Sequence, residues 1–357
     1  GIRTGMLLHE AQRMCPRVIP IQGQFDKYRS TSDEILRVLS EFSDQVEMTS
    51  CDEAYLDMTP RDGDFCRPAK WGRMVHDRLR EDPGLPCSVG VAPNKLLAKL
   101  ASEMQKPDGF VVISPEEVDG TLKEMPVERL CGVGDRFREN LKGMGIRTCG
   151  ELAAADFESL YARFGVWGYW LKRMGQGKDE SPVSRTDDPD TVKSVGHATT
   201  FSRNTRDFSE VRSYLLMLCE KVGFRLRKQG LMGRVVTVTL RYSDYRFRSK
   251  QASLREYTDD DIVIYSQGRR IMESLGPFPK AVRLVGVTVS ELARDGGQGF
   301  LVEMYEKRRQ MARAMDRLNG RYGKLTVRHA SVDISRKIGF FEPPIPPTIR
   351  LLRQRDQ

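Results

Sequence analysis

The sequence of 357 residues is poor in the side chains on which many metal sites and nucleophilic enzymes depend. Its four histidines are scattered, and no serine or cysteine lies in a nucleophile elbow. The seven cysteines include no CxxC pair and no cluster with histidine at the spacing of a zinc site. This pattern argues against a zinc finger, and the odd number of scattered cysteines predicts reduced thiols in a cytoplasmic protein.

Long apolar runs and internal repeats are also missing. No stretch of about 18 apolar residues occurs that could span a membrane, so we expect no membrane partner. What the chain does have is a basic surplus, with 58 Lys and Arg against 49 Asp and Glu and a formal net charge of +9. A surplus of this size indicates a polyanionic partner, nucleic acid first, although a merely basic soluble protein would show the same balance.

Composition and length indicate several folded domains. With 39% hydrophobic and 30% charged residues, the chain is apolar enough to form cores. Helical patterns cover residues 8–14, 25–42, 68–81 and 94–105, and strand patterns cover residues 18–21, 87–92 and 110–113, with two more strands flanking residues 50–53. Because helices and short strands alternate, we expect a mixed α/β layer up to about residue 115.

The remainder of the chain changes character twice. Residues 116–178 are patterned as short helices separated by glycine turns, and residues 179–196 have the polar, proline-containing composition of a linker. From about residue 193 the patterns follow the order β-α-β-β-α-β. This order predicts the split βαβ arrangement, in which a small sheet carries two helices.

An acidic pair, Asp52-Glu53, lies in the segment between two predicted strands. Because consecutive side chains of a strand point to opposite faces, two carboxylates that serve one metal site suit a turn better than a strand interior. Carboxylate oxygens suit Mg²⁺, and two-metal phosphoryl transfer needs such ligands. Taken alone, an Asp-Glu pair in a turn is more often solvated surface.

Three lysines, Lys95, Lys99 and Lys106, lie on or just after the helix predicted over residues 94–105. Lys95 and Lys99 are four residues apart and share one helix face. Such a cluster can bind a triphosphate or a nucleic-acid backbone. Taken alone, a solvated helix face is the commoner explanation.

A glycine turn, Gly132-Val133-Gly134, is followed by Leu141 and Gly145. This spacing is typical of a helix-hairpin-helix, in which backbone N–H groups approach a phosphate without obstruction by side chains. The alternative is a glycine that merely caps one helix before the next.

Basic and aromatic residues interleave in the strand pattern over residues 241–250. Sheets that lie along a phosphate backbone carry such a pattern. A solvated edge strand protected by its charges is the alternative.

Taken in their order along the chain, these segments resemble the Y family of DNA polymerases, and in particular its bacterial polymerase IV branch. The resemblance is carried by Gly1–Met6, Glu47–Asp57, Ser88–Lys99, Lys106–Gly109, Gly132–Gly134, Lys193–Gly196 and Gly230–Arg234. It covers the chain from residue 1 to about residue 340.

The resemblance implies an α+β multidomain fold shaped as a polymerase right hand. Its parts would be partial fingers (1–22), a partial palm (23–115), a helical helix-hairpin-helix thumb (116–180), a linker (181–193), a split βαβ little finger (194–340) and a flexible tail (341–357).

The implied function is template-directed DNA synthesis for error-prone lesion bypass, by two-metal nucleotidyl transfer to a primer 3′ end without proofreading. The partners would be primer–template DNA and deoxynucleoside triphosphates, bound by a monomer. A sliding clamp is a further candidate partner. Ile338–Phe341 is a candidate clamp-binding peptide, although a segment that packs locally is the commoner explanation.

The resemblance also implies roles for particular residues. Asp52 and Glu53 would hold two Mg²⁺ ions as the catalytic carboxylates, and Lys106 would contact the phosphates of the incoming nucleotide. The expected DNA contacts are Gly132, Val133, Gly134, Arg203, Arg246 and Arg248.

One departure from the family pattern concerns the start of the chain. The family's first metal-binding aspartate and its steric-gate aromatic residue belong upstream of the segment at which Gly1 begins, so we expect the chain as given to lack polymerase activity. A non-catalytic, DNA-binding adaptor of the same family is the alternative. A nucleotidyl cyclase with a palm-like domain is disfavoured, because it needs neither the hairpin nor the basic sheet.

Overall fold

The structure, a computed structural model, describes residues 1–59, 65–186, 192–294, 303–323 and 326–327. The chain divides into two compact units, Gly1–Thr186 and Asp187–Gln357. No helix in the described ranges is both long and apolar enough to cross a membrane.

The first unit begins with alternating helices and three-residue strands. The helices are α1 (Leu8–Met14), α2 (Phe25–Leu39), α3 (Cys66–Glu81) and α4 (Lys95–Met104), and the strands are β1 (Val46–Met48), β2 (Ala54–Leu56), β3 (Val89–Val91) and β4 (Phe110–Val112). Strands β1 and β2 pair antiparallel, whereas β3 and β4 pair parallel, with α4 as the crossover between them.

Helix α4 lies against strand β3 at a glycine. A Cβ atom on Gly90 would lie 2.2 Å from the carbonyl oxygen of Ala98, so only glycine allows this approach. Asn94 caps the helix, since its side chain accepts a hydrogen bond from the amide of Leu97 at 3.0 Å. This close packing fixes the position of α4 relative to β3, and with it the positions of the lysines that α4 carries.

The second half of the first unit is helical. Its helices are α5 (Val118–Lys123), α6 (Asp135–Gly143), α7 (Cys149–Ala154), α8 (Phe157–Phe164) and α9 (Val166–Gly175), with single 3₁₀ turns at Pro115–Glu117 and Val127–Arg129. One apolar core joins these helices to α4, since Leu97 and Leu100 cluster with Leu141, Leu152 and Leu160. The helical region is therefore anchored on the same helix that carries the lysine cluster.

The second unit is a four-stranded antiparallel sheet with helices. Its elements are β5 (Ser194–Thr205), α10 (Phe208–Lys228), β6 (Leu231–Tyr242), β7 (Phe247–Thr258), α11 (Asp261–Ser274), β8 (Val282–Arg294) and α12 (Glu303–Tyr322). The strand order is β5-β8-β6-β7, so β5 and β6 run parallel with β8 between them. Alternate residues of β6, such as Val236 and Val238, are buried in one core with Leu215 of α10.

Two expectations about local structure are wrong. Residues 18–21 form no strand, and Ile19 and Ile21 are 80% and 88% exposed. A β-branched run forms a strand only where a neighbour pairs with it, and none of the described strands does so here. Helix α2 begins at Phe25, as predicted, but ends at Leu39 with Ser40 as its C-cap, whereas the pattern predicted a helix to residue 42.

Candidate active site and nucleic-acid interfaces

The acidic pair lies in the tight connection between β1 and β2, as expected from the sequence. The amides of Thr49 and Ser50 both donate to the carbonyl oxygen of Glu53, at 3.0 and 3.3 Å, which closes the turn. The Ser50 hydroxyl donates to Oδ1 of Asp52 at 2.5 Å and accepts from the Asp52 amide at 3.2 Å. Both acidic residues remain exposed, so their carboxylates can reach a ligand.

Helix α4 presents an ammonium group to Glu53. The Nζ atom of Lys99 lies 2.5 Å from Oε1 of Glu53 and 2.9 Å from Oε1 of Glu103. Burial of Lys99 disfavours its charged form, but the hydrogen bonds to Glu53 and Glu103 outweigh burial and raise the pKa of the ammonium. Lys99 is therefore a fixed positive charge beside the acidic turn.

Lys106 is held by the same glutamate. Its Nζ lies 2.5 Å from Oε1 of Glu103, and the side chain of Lys106 is half exposed. Hydrogen bonds from Lys106 and then Lys99 lower the pKa of the Glu103 carboxyl. Sequence reasoning missed Glu103, although its spacing of four residues from Lys99 and three from Lys106 is a signal that could have identified it.

Lys95, the third member of the predicted lysine cluster, has a different role. Its Nζ lies 2.7 Å from Oε2 of Glu47, and the same carboxylate oxygen accepts from the amide of Ser184 at 2.8 Å. Both charged side chains are largely buried. Lys95 thus ties β1 to the segment that follows the helical region, and the lysines do not form one open cluster.

The donor set of the turn fits a hard divalent cation. Asp52 and Glu53 offer only carboxylate oxygens, the ligands that Mg²⁺ prefers, and water and substrate phosphates commonly complete its coordination shell. Among the residues that the structure describes, no group of three His, Cys, Asp or Glu side chains forms a complete site. The pair would therefore supply part of a coordination shell.

The glycine turn leads directly into helix α6. Gly132 has a φ of 96°, a left-handed conformation that other residues rarely adopt, and Gly134 is the N-cap of α6. Val133 between them is buried and donates its amide to the Leu130 carbonyl at 3.0 Å. Because Gly134 has no side chain to cap the helix, the first amides of α6 point out of its end.

The three arginines expected to contact DNA do not lie together. Arg203 is on strand β5 and Arg248 on strand β7, which are the two edges of the sheet. The guanidinium of Arg248 donates to the carbonyl oxygen of Leu275 at 3.1 Å. Arg246 precedes β7 and is 86% exposed, with its Nε atom 3.7 Å from Oδ2 of Asp244.

A basic and aromatic cluster at one end of this sheet includes residues not selected from the sequence. The guanidinium of Arg241 lies 5.5 Å from the ring centroids of both Tyr245 and Phe247, and that of Arg283 lies 5.3 Å from the Tyr245 ring. Tyr245 and Phe247 are exposed. The interleaved pattern over residues 241–250 indicated this cluster, but Arg283 comes from β8 and had no signal in the sequence.

Comparison with known proteins identifies the family of the chain. Residues 1–103 match the impB/mucB/samB family, and residues 192–300 match the C-terminal domain of that family. DNA polymerase IV of Moorella thermoacetica is 39% identical over 334 residues, which cover 92% of this chain and 82% of that protein.

Solved structures agree with this match. The Y-family DNA polymerase chimera Dbh-Dpo4(243-245)-Dbh is 26% identical with a TM-score of 0.74, covering 82% of this chain and 84% of the chimera. The insertion ternary complex of Dbh DNA polymerase is 26% identical with a TM-score of 0.57, covering 81% and 83%. The α+β chain described here therefore belongs to the Y family of DNA polymerases, a family of DNA-directed DNA polymerases.

Proposed function

We propose that this protein is a translesion DNA polymerase that adds deoxynucleotides to a primer 3′ end opposite a template, releasing pyrophosphate. The family assignment supports this function. The observation that carries it is the exposed Asp52-Glu53 turn, with the ammonium of Lys99 at 2.5 Å from Glu53 and Lys106 held nearby on Glu103. Carboxylates for a metal and a lysine for phosphates are the parts that nucleotidyl transfer requires.

Each residue has a defined part in the proposed reaction. Asp52 and Glu53 would hold divalent cations, which would supply alignment of the attacking and leaving oxygens and offset their negative charge. Ser50 orients the Asp52 carboxylate through its 2.5 Å hydrogen bond. Lys106 binds the phosphates of the incoming nucleotide as a point charge.

The glycine turn is proposed to hold the DNA backbone, as the thumb of the right hand. The first amides of α6, beside Gly132 and Gly134, bind a phosphate of the duplex through N–H groups and the positive end of the helix. Such a contact carries no sequence information, which suits an enzyme that must accept any template.

The second unit is proposed to be the little finger, which clamps the duplex. Support comes from the arginine and aromatic cluster around Arg241, Tyr245 and Arg283 and from the exposed guanidinium of Arg246. Arg248 is the weaker candidate, because Leu275 already accepts one of its hydrogen bonds. The clamp-binding peptide proposed at residues 338–341 lies outside the described residues.

Primer extension tests the proposed function. The full-length gene product is supplied with Mg²⁺, the four deoxynucleotides and two templates, one undamaged and one carrying an abasic site. We expect extension on both templates and no extension with a chelator present. Extension of the undamaged template alone would overturn the lesion-bypass assignment. DNA binding with no extension on either template would favour the non-catalytic adaptor.

A further inference from the structure

Four charged side chains form a continuous chain between the acidic turn and the phosphate-binding lysine. Glu53 contacts Lys99 at 2.5 Å, Lys99 contacts Glu103 at 2.9 Å, and Glu103 contacts Lys106 at 2.5 Å. The same oxygen of Glu103, Oε1, accepts from both lysines. Negative and positive side chains alternate along this row, so each charge lies beside one of opposite sign.

We propose that Glu103 is a positioning residue that couples the metal-binding carboxylate Glu53 to the nucleotide-binding lysine Lys106, by sharing one carboxylate oxygen between Lys99 and Lys106. This inference rests on the proposed function, since it assigns Glu53 to a divalent cation and Lys106 to phosphate. Glu103 itself touches neither ligand, and it acts through the two lysines.

The position of Lys99 explains why a second carboxylate is needed. Its ammonium is largely buried beside the acidic turn and competes with a cation for Glu53. When Glu53 binds a divalent cation, Lys99 must give up that partner, and a buried ammonium with no partner is costly. Glu103 supplies the alternative partner, so Lys99 can release Glu53 without losing its compensation.

The same exchange frees Lys106. Once Lys99 relies on Glu103 alone, that carboxylate holds Lys106 less strongly. The side chain of Lys106 is half exposed, so its ammonium can then exchange Glu103 for phosphate oxygens of an incoming triphosphate. Metal binding at Glu53 thus favours nucleotide binding at Lys106, with Glu103 as the shared element.

Glu103→Gln tests this coupling, because it removes the charge and keeps the shape. Two affinities are measured on the full-length gene product. The first is for Mn²⁺ alone, by electron paramagnetic resonance. The second is for a deoxynucleotide with saturating Mg²⁺, by fluorescence, on a primer–template whose dideoxy-terminated primer cannot be extended.

The two affinities are expected to change in opposite directions. Mn²⁺ affinity falls by about two- to fivefold, the scale of one charge contact near a surface, because Lys99 now competes for Glu53 with no alternative partner. Nucleotide affinity rises by about the same factor, because Lys106 is no longer held and a negative charge near the phosphates is gone. Opposite changes cannot arise from general loss of structure.

Two further variants complete the test. Glu103→Asp retains the carboxylate and should return both affinities part of the way to those of the wild type. Glu41→Gln is the matched control, because the Glu41 carboxylate also bridges two cations, Arg37 and Arg78, at 2.9 and 3.4 Å in a separate group of ion pairs. It should change neither affinity.

The outcomes separate the coupling from the proposed function. If Glu103→Gln leaves both affinities at wild-type values, or lowers both together, Glu103 has no positioning role and the polymerase assignment stands. If the wild type binds neither Mn²⁺ nor the correct nucleotide, the proposed function itself fails, and the coupling fails with it.

Discussion

Ser50 and Lys99 hold the two carboxylates of the β1–β2 turn in different ways. The neutral Ser50 hydroxyl donates a hydrogen bond to Asp52, which orients the carboxylate without compensating its negative charge. Lys99 forms an ion pair with Glu53, which compensates the charge until a cation replaces it. One carboxylate is therefore available at once, and the other becomes available by exchange of partners.

Replacing either carboxylate should remove catalysis and leave DNA binding. In the full-length gene product, we expect Asp52→Ala and Glu53→Ala each to slow primer extension by about 10³-fold, since metal-held charge stabilisation is worth several kcal/mol. Affinity for primer–template DNA should stay within about twofold, because neither residue belongs to the proposed phosphate contacts. Rapid-quench extension and fluorescence anisotropy measure the two quantities.

The control for these variants is Asp44→Ala, an exposed acid at the other end of β1. It should leave both quantities unchanged. Normal extension by either turn variant would contradict the assignment of the metal site.

At the scale of single elements, the proposed phosphate contact at the start of α6 can be tested separately from the stability of the helical region. Gly134→Asp should keep or raise the stability of the helical region, because aspartate is a better N-cap than glycine. The carboxylate of the new aspartate accepts hydrogen bonds from the first amides of α6 and repels phosphate, so DNA affinity should fall by about tenfold.

Ala154→Asp provides the matched control, since it adds the same charge at the exposed end of α7 in the same helical region. It should lower DNA affinity by much less than Gly134→Asp does. Equal losses in the two variants would indicate a general charge effect and would argue against a phosphate contact at α6.

Helix α12 is joined to its unit by buried ion pairs. Arg227 of α10 contacts Asp316 of α12 through two hydrogen bonds, of 2.6 and 3.0 Å, and Arg309 of α12 contacts Asp259 at 3.3 Å. Three of these four side chains are less than 10% exposed. The helix is thus held by charges that lie away from water.

Removal of Asp316 should destabilise the second unit strongly. Asp316→Ala leaves Arg227 buried with only part of its compensation, and such losses cost about 3 kcal/mol or more. Urea unfolding measures the change. The control Glu273→Ala breaks the exposed pair with Arg269 and should cost less than about 1 kcal/mol. A similar small cost for Asp316→Ala would show that α12 does not depend on this pair.

At the scale of the whole molecule, the net charge of +9 is expected to favour association with the proposed DNA partner. Because Lys and Arg that neutralise phosphates release condensed counterions, DNA affinity should fall by at least about tenfold between 50 and 200 mM salt. Anisotropy titrations with primer–template DNA over that range measure it. An affinity that stays constant with salt would contradict a binding mode dominated by the backbone.

Much of the fold could be predicted from the sequence, because hydrophobic periodicity and helix capping depend on residues that are close together in the sequence. The acidic turn between β1 and β2, the helix after Asn94 and the alternation of β6 all follow from neighbouring residues. The prediction of a strand at residues 18–21 was wrong, because a strand also needs a pairing partner, and the local sequence pattern does not supply one. Helix α12 was not predicted, since its stripe of apolar residues is broken by the charges that it buries.

The sequence by itself determined which chemistry is present: two adjacent carboxylates, lysines in helical register and a glycine turn before a helix. Only the tertiary structure decided how those groups are paired. It brings Lys99 to Glu53 and Lys95 to Glu47, contacts between residues 46 and 48 positions apart. It also places Arg203 and Arg248 on opposite edges of one sheet. The physical reason is that spacing along a helix or strand is set by backbone geometry, whereas contacts between distant segments depend on which apolar faces pack together.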